Sequence, residues 1–397
     1  MRILYITDAF PWPLTSGHLR HYHLIRGLSR RHSVSLLSIV GADFDHRRSD
    51  ALRPFAERIH TFPTTGRRPP TQLRSALPSR AVAAAEQLAR EALELTKDGG
   101  FDVCLLTGRR AYPALSRLAD IPLVADVCDA TSSRMRGALS HAGGSSRPLL
   151  YLRYLWARHA ERQVIARAEH LVFASPRDRD ALVDRRTRGH AAIVPNGVDD
   201  DYWRRSTTRL GSHEVVFTGA MSYPPNADAA VYLIREIMPR VQREVPEASL
   251  SIVGRDPTPE LVAAGSRHGA TVTGYVDDMR PHLERAAVFA APLRFGSGIQ
   301  NKLLEAMAME VPVVASPLAG EGLTTEDGAL PPIGLAEDAG EFARQLVTHL
   351  RSDQPEPSRL GRAFVQQHFS WPSSVERLEA VLNRAGAPTE QRSSSQR

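Results

Sequence analysis

The chain of 397 residues contains two cysteines, Cys104 and Cys128, each inside an apolar run. Both read as buried reduced thiols, which excludes a disulfide-built secreted scaffold. Lysine is equally scarce: Lys97 and Lys302 stand against 48 arginines, a pattern that reads as coding bias. No apolar stretch reaches the roughly eighteen residues that a membrane span needs. Residues 2–8 (RILYITD) lack a charged leader, long apolar core and small-residue cleavage site, so no signal peptide is expected. A Gly triplet after the first strand is missing, which disfavours a nicotinamide-dependent dehydrogenase. No Asp-x-Asp motif flanks a suitable strand, and His18, His21 and His23 have no Cys or acidic partners at ligand spacing, so no metal and no cofactor is expected. The arginines are dispersed without an aromatic platform, so nucleic acid is not an expected partner. A cytoplasmic location fits these absences.

What is present is a soluble, globular composition, with 42% hydrophobic and 24% charged residues, in a length that suits about two domains. The net charge of +6 is unevenly spread. Residues 1–200 hold 30 Lys and Arg against 20 Asp and Glu, and the remainder 20 against 24. A basic first half suits peripheral contact with an anionic membrane face or an acidic acceptor; a plain solvated surface is the alternative.

The hydrophobic pattern alternates short apolar runs with helical stretches. Strands are expected at residues 2–10, Ser33–Val40, Ile59–Phe62, Asp102–Thr107, Ile121–Val127, His170–Ala174 and Ala192–Val194. Ser16 is a candidate N-cap for a helix running to about Arg30. Residues 41–80 read as mostly extended, and a long helix is expected near Pro148–Ala168. The second half repeats the alternation, with strands near Val215–Gly219, Leu250–Val253, Ala270–Thr273, Val288–Pro292 and Val311–Ala315, and helices including Ala227–Glu244 and Pro281–Ala286. Such alternation implies parallel sheets covered on both faces. The fold class is therefore α/β, with two Rossmann-like domains. The expected division is 1–204 and 205–386, with 387–397 a disordered tail.

Residues 294–322, RFGSGIQNKLLEAMAMEVPVVASPLAGEG, concentrate the chemistry. A Gly-containing loop between a strand end and a helix start presents backbone N–H groups to an anion. Arg294 precedes the loop and Lys302 follows it. Glu305 lies three positions beyond Lys302, on the same side of the helix. Negative charge held beside a carboxylate that accepts from sugar hydroxyls suits a nucleotide-sugar better than a bare phosphate.

This stretch resembles the donor-site signature of the retaining glycosyltransferases of family four, which have the two-Rossmann GT-B fold. The resemblance rests on Glu305-Ala306-Met307-Ala308 and Pro312-Val313-Val314. The first Glu of the family's pair falls on Ser297, so that carboxylate is absent. The likeness is to a branch in which Leu293-Arg294, Gly296-Ser297-Gly298 and Lys302 replace the usual loop. It implies two domains facing across a cleft, the first binding acceptor and the second binding a nucleotide-diphosphate sugar, with the last helix returning to the first domain. It also implies no metal.

By the resemblance Arg294 and Lys302 are the catalytic cations that neutralise the leaving diphosphate. They replace an Arg and a Lys that the family carries after the first strand of the second domain, where residues 219–226 (GAMSYPPN) hold no cation. Glu305 accepts from the ribose, while Ser297, Gly298, Ile299 and Gln300 meet the donor sugar. Gly219, Asn226, Gly254 and Tyr275 are further donor-side candidates, with core packing the alternative for the last two. On the acceptor side stand Gly17, Ser16 and His18. Asp126 and Asp129 end a strand, where open α/β sheets bind ligands; they orient an acceptor hydroxyl or act as base, with Asp129 the catalytic candidate, or are ordinary turn acids. The implied activity is transfer of a sugar to an acceptor hydroxyl in glycan, exopolysaccharide or metabolite biosynthesis. A nucleotide-sugar 2-epimerase and a non-catalytic transferase-like partner are the competing readings.

Overall fold

A computed structural model of the chain describes residues 1–14, 18–64, 79–97, 100–112, 118, 121–141, 146–184, 187–206, 213–352 and 358–387. It separates into two compact units. The first comprises Met1–Ala174, Asp178–Pro195 and Trp371–Arg397; the second comprises Ser175–Arg177 and Asn196–Ser370.

The first unit holds seven strands: β1 (Arg2–Thr7), β2 (Ser33–Val40), β3 (Arg58–Pro63), β4 (Val103–Thr107), β5 (Leu123–Cys128), β6 (His170–Phe173) and β7 (Ala191–Ile193). They form one parallel sheet in the order β3-β2-β1-β4-β5-β6-β7. Runs such as Ile3-Leu4-Tyr5-Ile6 are apolar throughout because both faces are covered. Alternate residues serve opposite cores. Leu4 and Ile6 pack with Leu88 and Val164 on one face. Ile3 and Tyr5 pack with Leu24 and with Val375, Leu378 and Leu382 of the terminal helix Trp371–Gly386 on the other.

The second unit holds β8 (Glu214–Thr218), β9 (Ser249–Val253), β10 (Thr271–Val272), β11 (Val288–Ala291), β12 (Val313–Ala315) and β13 (Gly334–Leu335). This sheet is also parallel, ordered β10-β9-β8-β11-β12-β13. Both units are thus Rossmann-like α/β sheets. No described helix is long and apolar enough to cross a membrane.

Several expectations need correction. The division falls at Pro195/Asn196, not at residue 204, because the following residues are bonded into the second unit. Val198 bridges Ser370, Arg362 donates to Asp200 O and Trp203 O at 2.9 and 3.1 Å, and Arg205 donates to Met309 O and Leu283 O at 2.9 and 3.0 Å. The expected helix Ala227–Glu244 is three segments, Pro224–Tyr232, a π-type turn Leu233–Ile237, and Met238–Glu244. Pro239 lacks an N–H and its ring opens the preceding turn. Strand β13 and the helices Thr131–His141 and Ala339–Leu350 were not anticipated. Ser16, Gly17, most of the expected 41–80 extended stretch beyond residue 64, and the tail from 388 lie outside the described residues.

Asp126 is also corrected. It sits inside β5, 2% exposed, and both its oxygens are taken by Arg20. Arg20 Nε donates at 2.8 Å and Nη2 at 3.0 Å, while Nη1 donates to Val194 O at 2.8 Å. The pair fastens the helix Leu19–Leu28 onto the sheet and offers no carboxylate to a ligand. Removing one member strands a buried charge. Asp126→Ala is expected to cost about 3–5 kcal/mol of stability, and Arg20→Met with Asp126→Leu to recover most of it. Denaturant unfolding checks this; a stable Asp126→Ala protein would refute the structural role.

Candidate functional site

The expected donor residues meet around the loop that follows β11. The helix Asn301–Ala308 starts at Gln300 without a side-chain cap, so its first N–H groups have no side-chain partner there and its positive dipole end faces the loop. The loop itself is held by its carbonyls. Ser316 Oγ donates to Leu293 O at 2.6 Å, and Gln300 Nε2 to Ser297 O at 3.3 Å. Arg177 Nη2 donates to Gly296 O at 3.1 Å. Ser297, Ile299 and Gln300 are buried, and Gly298 has a φ of +71°.

Lys302 is buried. Its ammonium donates to Asn226 Oδ1 and lies 4.9 Å from the centre of the Phe217 ring, a cation–π contact. Asn226 Nδ2 donates in turn to Ala220 O at 3.0 Å, so one amide joins the loop after β8 to the lysine. Glu305 is partly buried, and its carboxylate has no hydrogen-bond partner among the described residues. Desolvation pushes Lys302 down to about 7, with Glu305 opposing. Desolvation likewise pushes Glu305 up to about 7, with Lys302 opposing.

Beside them the ends of β8 and β9 touch. Gly254 has a φ of +145°, and a Cβ there would sit 1.8 Å from Gly219 O. A Cβ on Gly219 would sit 2.6 Å from Asn226 Nδ2. Glycine is needed at both because two backbones and the asparagine occupy the same space.

Two expected donor residues stand apart. Arg294 Nε donates to Asp228 Oδ2 at 2.8 Å, Nη2 pairs with Oδ1, and the guanidinium stands 5.0 Å from the Tyr232 ring. Asp228 and Tyr232 share one helix face, whereas Asn226, which holds Lys302, is roughly 200° around the same helix. The sequence reading placed both cations on one diphosphate; the structure separates them and neutralises Arg294. Tyr275 is 72% exposed, after β10.

A second concave site lies in the first unit, at the carboxyl ends of β1, β4 and β5. The strand order reverses between β1 and β4, and open α/β sheets bind ligands at such a point. The pocket holds about 220 Å³. Asp8, His21, Arg109, Asp129, Arg134 and Glu161 contribute its ionisable groups. Gly108, at φ +84°, brings the chain so close that a Cβ would strike the Asp8 carboxyl at 2.0 Å. His21 Nδ1 lies 3.0 Å from Tyr5 Oη, and burial pushes its imidazole down to about 4, so the ring is neutral. Burial raises Asp8 above the usual carboxylate range, opposed by the Arg110 N–H at 3.2 Å. Burial also raises Glu161; its Oε1 accepts from Ser132 N at 2.9 Å, but its Oε2 is buried with no partner among the described residues.

Of the expected acceptor-side residues, Asp129 lines this pocket. His18 precedes the helix Leu19–Leu28, with Nδ1 3.2 Å from Pro13 O. Sequence reasoning missed Glu161 and the role of His21. Glu161 left a trace: in 147–167 it shares the helix face of Tyr154, Ala157 and Val164, a carboxylate on an apolar side. Arg177 left none.

Residues 212–352 match the family model described as glycosyl transferases group 1. The likeness to that family is carried by the second unit. The matched stretch spans β8 to the helix after β13, and so contains the whole 294–305 site. The chain is 30% identical over 269 residues to a phosphatidyl-myo-inositol mannosyltransferase of Mycobacterium leprae, covering 64% of this chain and 66% of that one. It is 25% identical over 306 residues to a D-inositol 3-phosphate glycosyltransferase of Mycobacterium avium, covering 70% and 68%. It spans less than two thirds of the first three curated relatives it matches, at 66%, 53% and 43% of their lengths. Among solved structures, Anabaena HepE in complex with UDP and glucose superposes with a TM-score of 0.68 at 14% identity, covering 96% and 99% of the two chains. Sucrose-phosphate synthase from Thermosynechococcus elongatus gives 0.72 at 13%, covering 97% and 99%. This likeness establishes the α/β fold with two Rossmann-like domains.

A nucleoside diphosphate bound against the shifted pair Lys302 and Glu305 would bind with a change in protonation. A diphosphate favours the ammonium, so binding above pH about 7 draws a proton onto Lys302; ribose hydroxyls favour the carboxylate, so binding below that value releases one from Glu305. Titrating UDP by calorimetry in buffers of different ionisation enthalpy at pH about 8 is expected to show uptake approaching about one proton. Lys302→Met should abolish that uptake; unchanged uptake would remove Lys302 from the diphosphate contact.

Proposed function

We propose that the chain is a retaining glycosyltransferase that moves a sugar from a nucleoside-diphosphate sugar to an acceptor hydroxyl. The observation that carries this reading is Lys302. It is a buried ammonium held by an amide oxygen and a ring face, beside an uncapped helix start and an unpartnered carboxylate. Such a group has paid its desolvation in advance and gains most when an anion arrives (a preorganised donor of the oxyanion-hole kind).

In this reading the diphosphate lies at the start of the helix Asn301–Ala308, against Lys302 and the N–H groups of residues 298–300. Glu305 accepts from ribose hydroxyls. The close approach of Gly219 and Gly254 keeps side-chain bulk away from the nucleotide. The acceptor oxygen attacks the anomeric carbon on the face from which the diphosphate departs. The carbon–oxygen bond to phosphate breaks, the new glycosidic bond forms, and the leaving phosphate oxygen takes the acceptor proton. No group on the chain is altered, and the products are glycoside and nucleoside diphosphate.

The first-unit pocket suits a small hydroxylated ring as acceptor. Its volume corresponds to about seven water molecules, and Glu161 Oε2 requires a donor that a hydroxyl supplies. Relatives named for inositol-based acceptors agree with a polyol there, and the UDP-bound Anabaena structure agrees with a nucleotide-sugar donor.

Lys302→Ala is expected to lower turnover by about 10²-fold or more with the fold intact, because a buried charge aimed at a leaving group is worth roughly 2–4 kcal/mol. Glu161→Gln should raise the KM for acceptor with little change for donor. Incubation with labelled nucleotide-sugars and a polyol or glycolipid acceptor separates the readings. Acceptor-dependent transfer supports the proposal. Isomerised donor identifies an epimerase, and no product with intact UDP binding identifies a non-catalytic partner, a reading that Ser297 in place of the motif's first Glu favours.

A further inference from the structure

The helix Arg147–Arg167 buries one face and leaves the other uncovered. Tyr154, Ala157, Ala160, Glu161 and Val164 are buried against the first unit. Half a turn away, Tyr151 is 51% exposed, Leu152 62%, Leu155 42% and Trp156 48%. At 100° per residue these four fall within an arc of about 140°, centred opposite the buried side, and they span about one and a half turns of helix. Two aromatic and two leucine side chains together on a solvent-facing helix surface are far from the scattered singles that any protein shows.

Outside its buried side, this helix carries charge of one sign. The helix carries Arg147, Arg153, Arg158, Arg162 and Arg167, and its one acid, Glu161, is buried on the opposite side. The apolar residues occupy the N-terminal half of the uncovered face, and Arg158 and Arg162 continue it toward the C-terminus. Indole and phenol rings beside arginines, with no exposed carboxylate, match an interface that is apolar below and anionic at its surface.

We propose that this face docks the chain on a bilayer containing anionic phospholipid, with the four apolar side chains entering the headgroup–acyl boundary and the arginines meeting lipid phosphates. The charge favours this occupant over a second copy of the chain, since two copies of the face would set arginine against arginine. The docking does not depend on the transferase reading.

Cosedimentation of the full chain with vesicles tests it. Vesicles of phosphatidylglycerol and phosphatidylcholine in equal parts should bind the protein, and vesicles of phosphatidylcholine alone should bind it far more weakly. Raising salt from about 0.1 M to about 1 M, which shortens the Debye length from about 10 Å to about 3 Å, should release most of it. Arg158→Ala with Arg162→Ala should weaken partition about 25-fold, at about fivefold per arginine. Leu152→Ser with Trp156→Ser, both solvent-facing, should weaken it more than about tenfold while leaving thermal unfolding and UDP binding unchanged. Failure to bind anionic vesicles, equal binding to neutral ones, or indifference to both double substitutions overturns the proposal. So does a dimer, seen by light scattering, that the serine substitutions dissociate.

Discussion

The second unit turns on the burial of one ammonium group. Lys302 lies beneath the protein surface with the Asn226 amide oxygen and the Phe217 ring as its neighbours. Neither carries a full negative charge, and Glu305, one turn away, makes no hydrogen bond to it. Burying a cation without a paired anion costs several kcal/mol, and the downward push on its proton affinity expresses that cost. The surrounding fold over-determines the position. Lys302 stands in the first turn of a helix whose neighbours Leu303, Leu304 and Ala306 are fully buried. Asn226 stands in the first turn of another helix and is held back to Ala220 O. Moving either would break a core as well as a contact. The arrangement is unfavourable alone, and a bound anion would offset that cost, which is the physical ground of the proposed donor site.

The glycines on the same side follow from this. If Asn226 is to hold the lysine, the loop after β8 must pass beneath it and against the end of β9. Gly219 and Gly254 permit that passage, and alanine at either would demand space already filled by backbone or amide. Arg294 serves the arrangement from another direction. Its pair with Asp228 ties the loop after β11 to the helix Pro224–Tyr232, so the cation that sequence assigned to chemistry acts here as a brace.

Much of this was legible in the residues. Continuous apolar runs announced parallel sheets, and the run 294–305 announced a Gly-containing turn between a strand end and a helix start, because both signals are local. Lys302 and Glu305 could be paired by helical spacing alone. What could not be read depends on contacts between distant segments. Asp126 looked like a free strand-end acid because its partner Arg20 is 106 residues away. Arg294 looked like a ligand cation because Asp228 lies 66 residues earlier. The division of the chain was placed late because residues 196–206 have loop composition yet are bonded by Arg205 and Arg362 from within the second unit. A π-type turn at Leu233–Ile237 was hidden because the residues on either side are good helix formers.

The helix Arg147–Arg167 shows most plainly why composition misleads. Apolar residues on both of its sides blur any simple amphipathic pattern, and its five arginines suggest an ordinary solvated surface. Burial resolves the two sides. Its inner side places the Glu161 carboxylate at the pocket, with Oε2 lacking a partner among the described residues, and its outer side displays Trp156 and Leu152. The two sides are one helix diameter apart, about 10–12 Å. A membrane met by the outer side would therefore leave the pocket in the aqueous headgroup layer, above the acyl region. In the two proposed readings one helix would hold the chain at a surface by its outer side and offer Glu161 to the acceptor by its inner side.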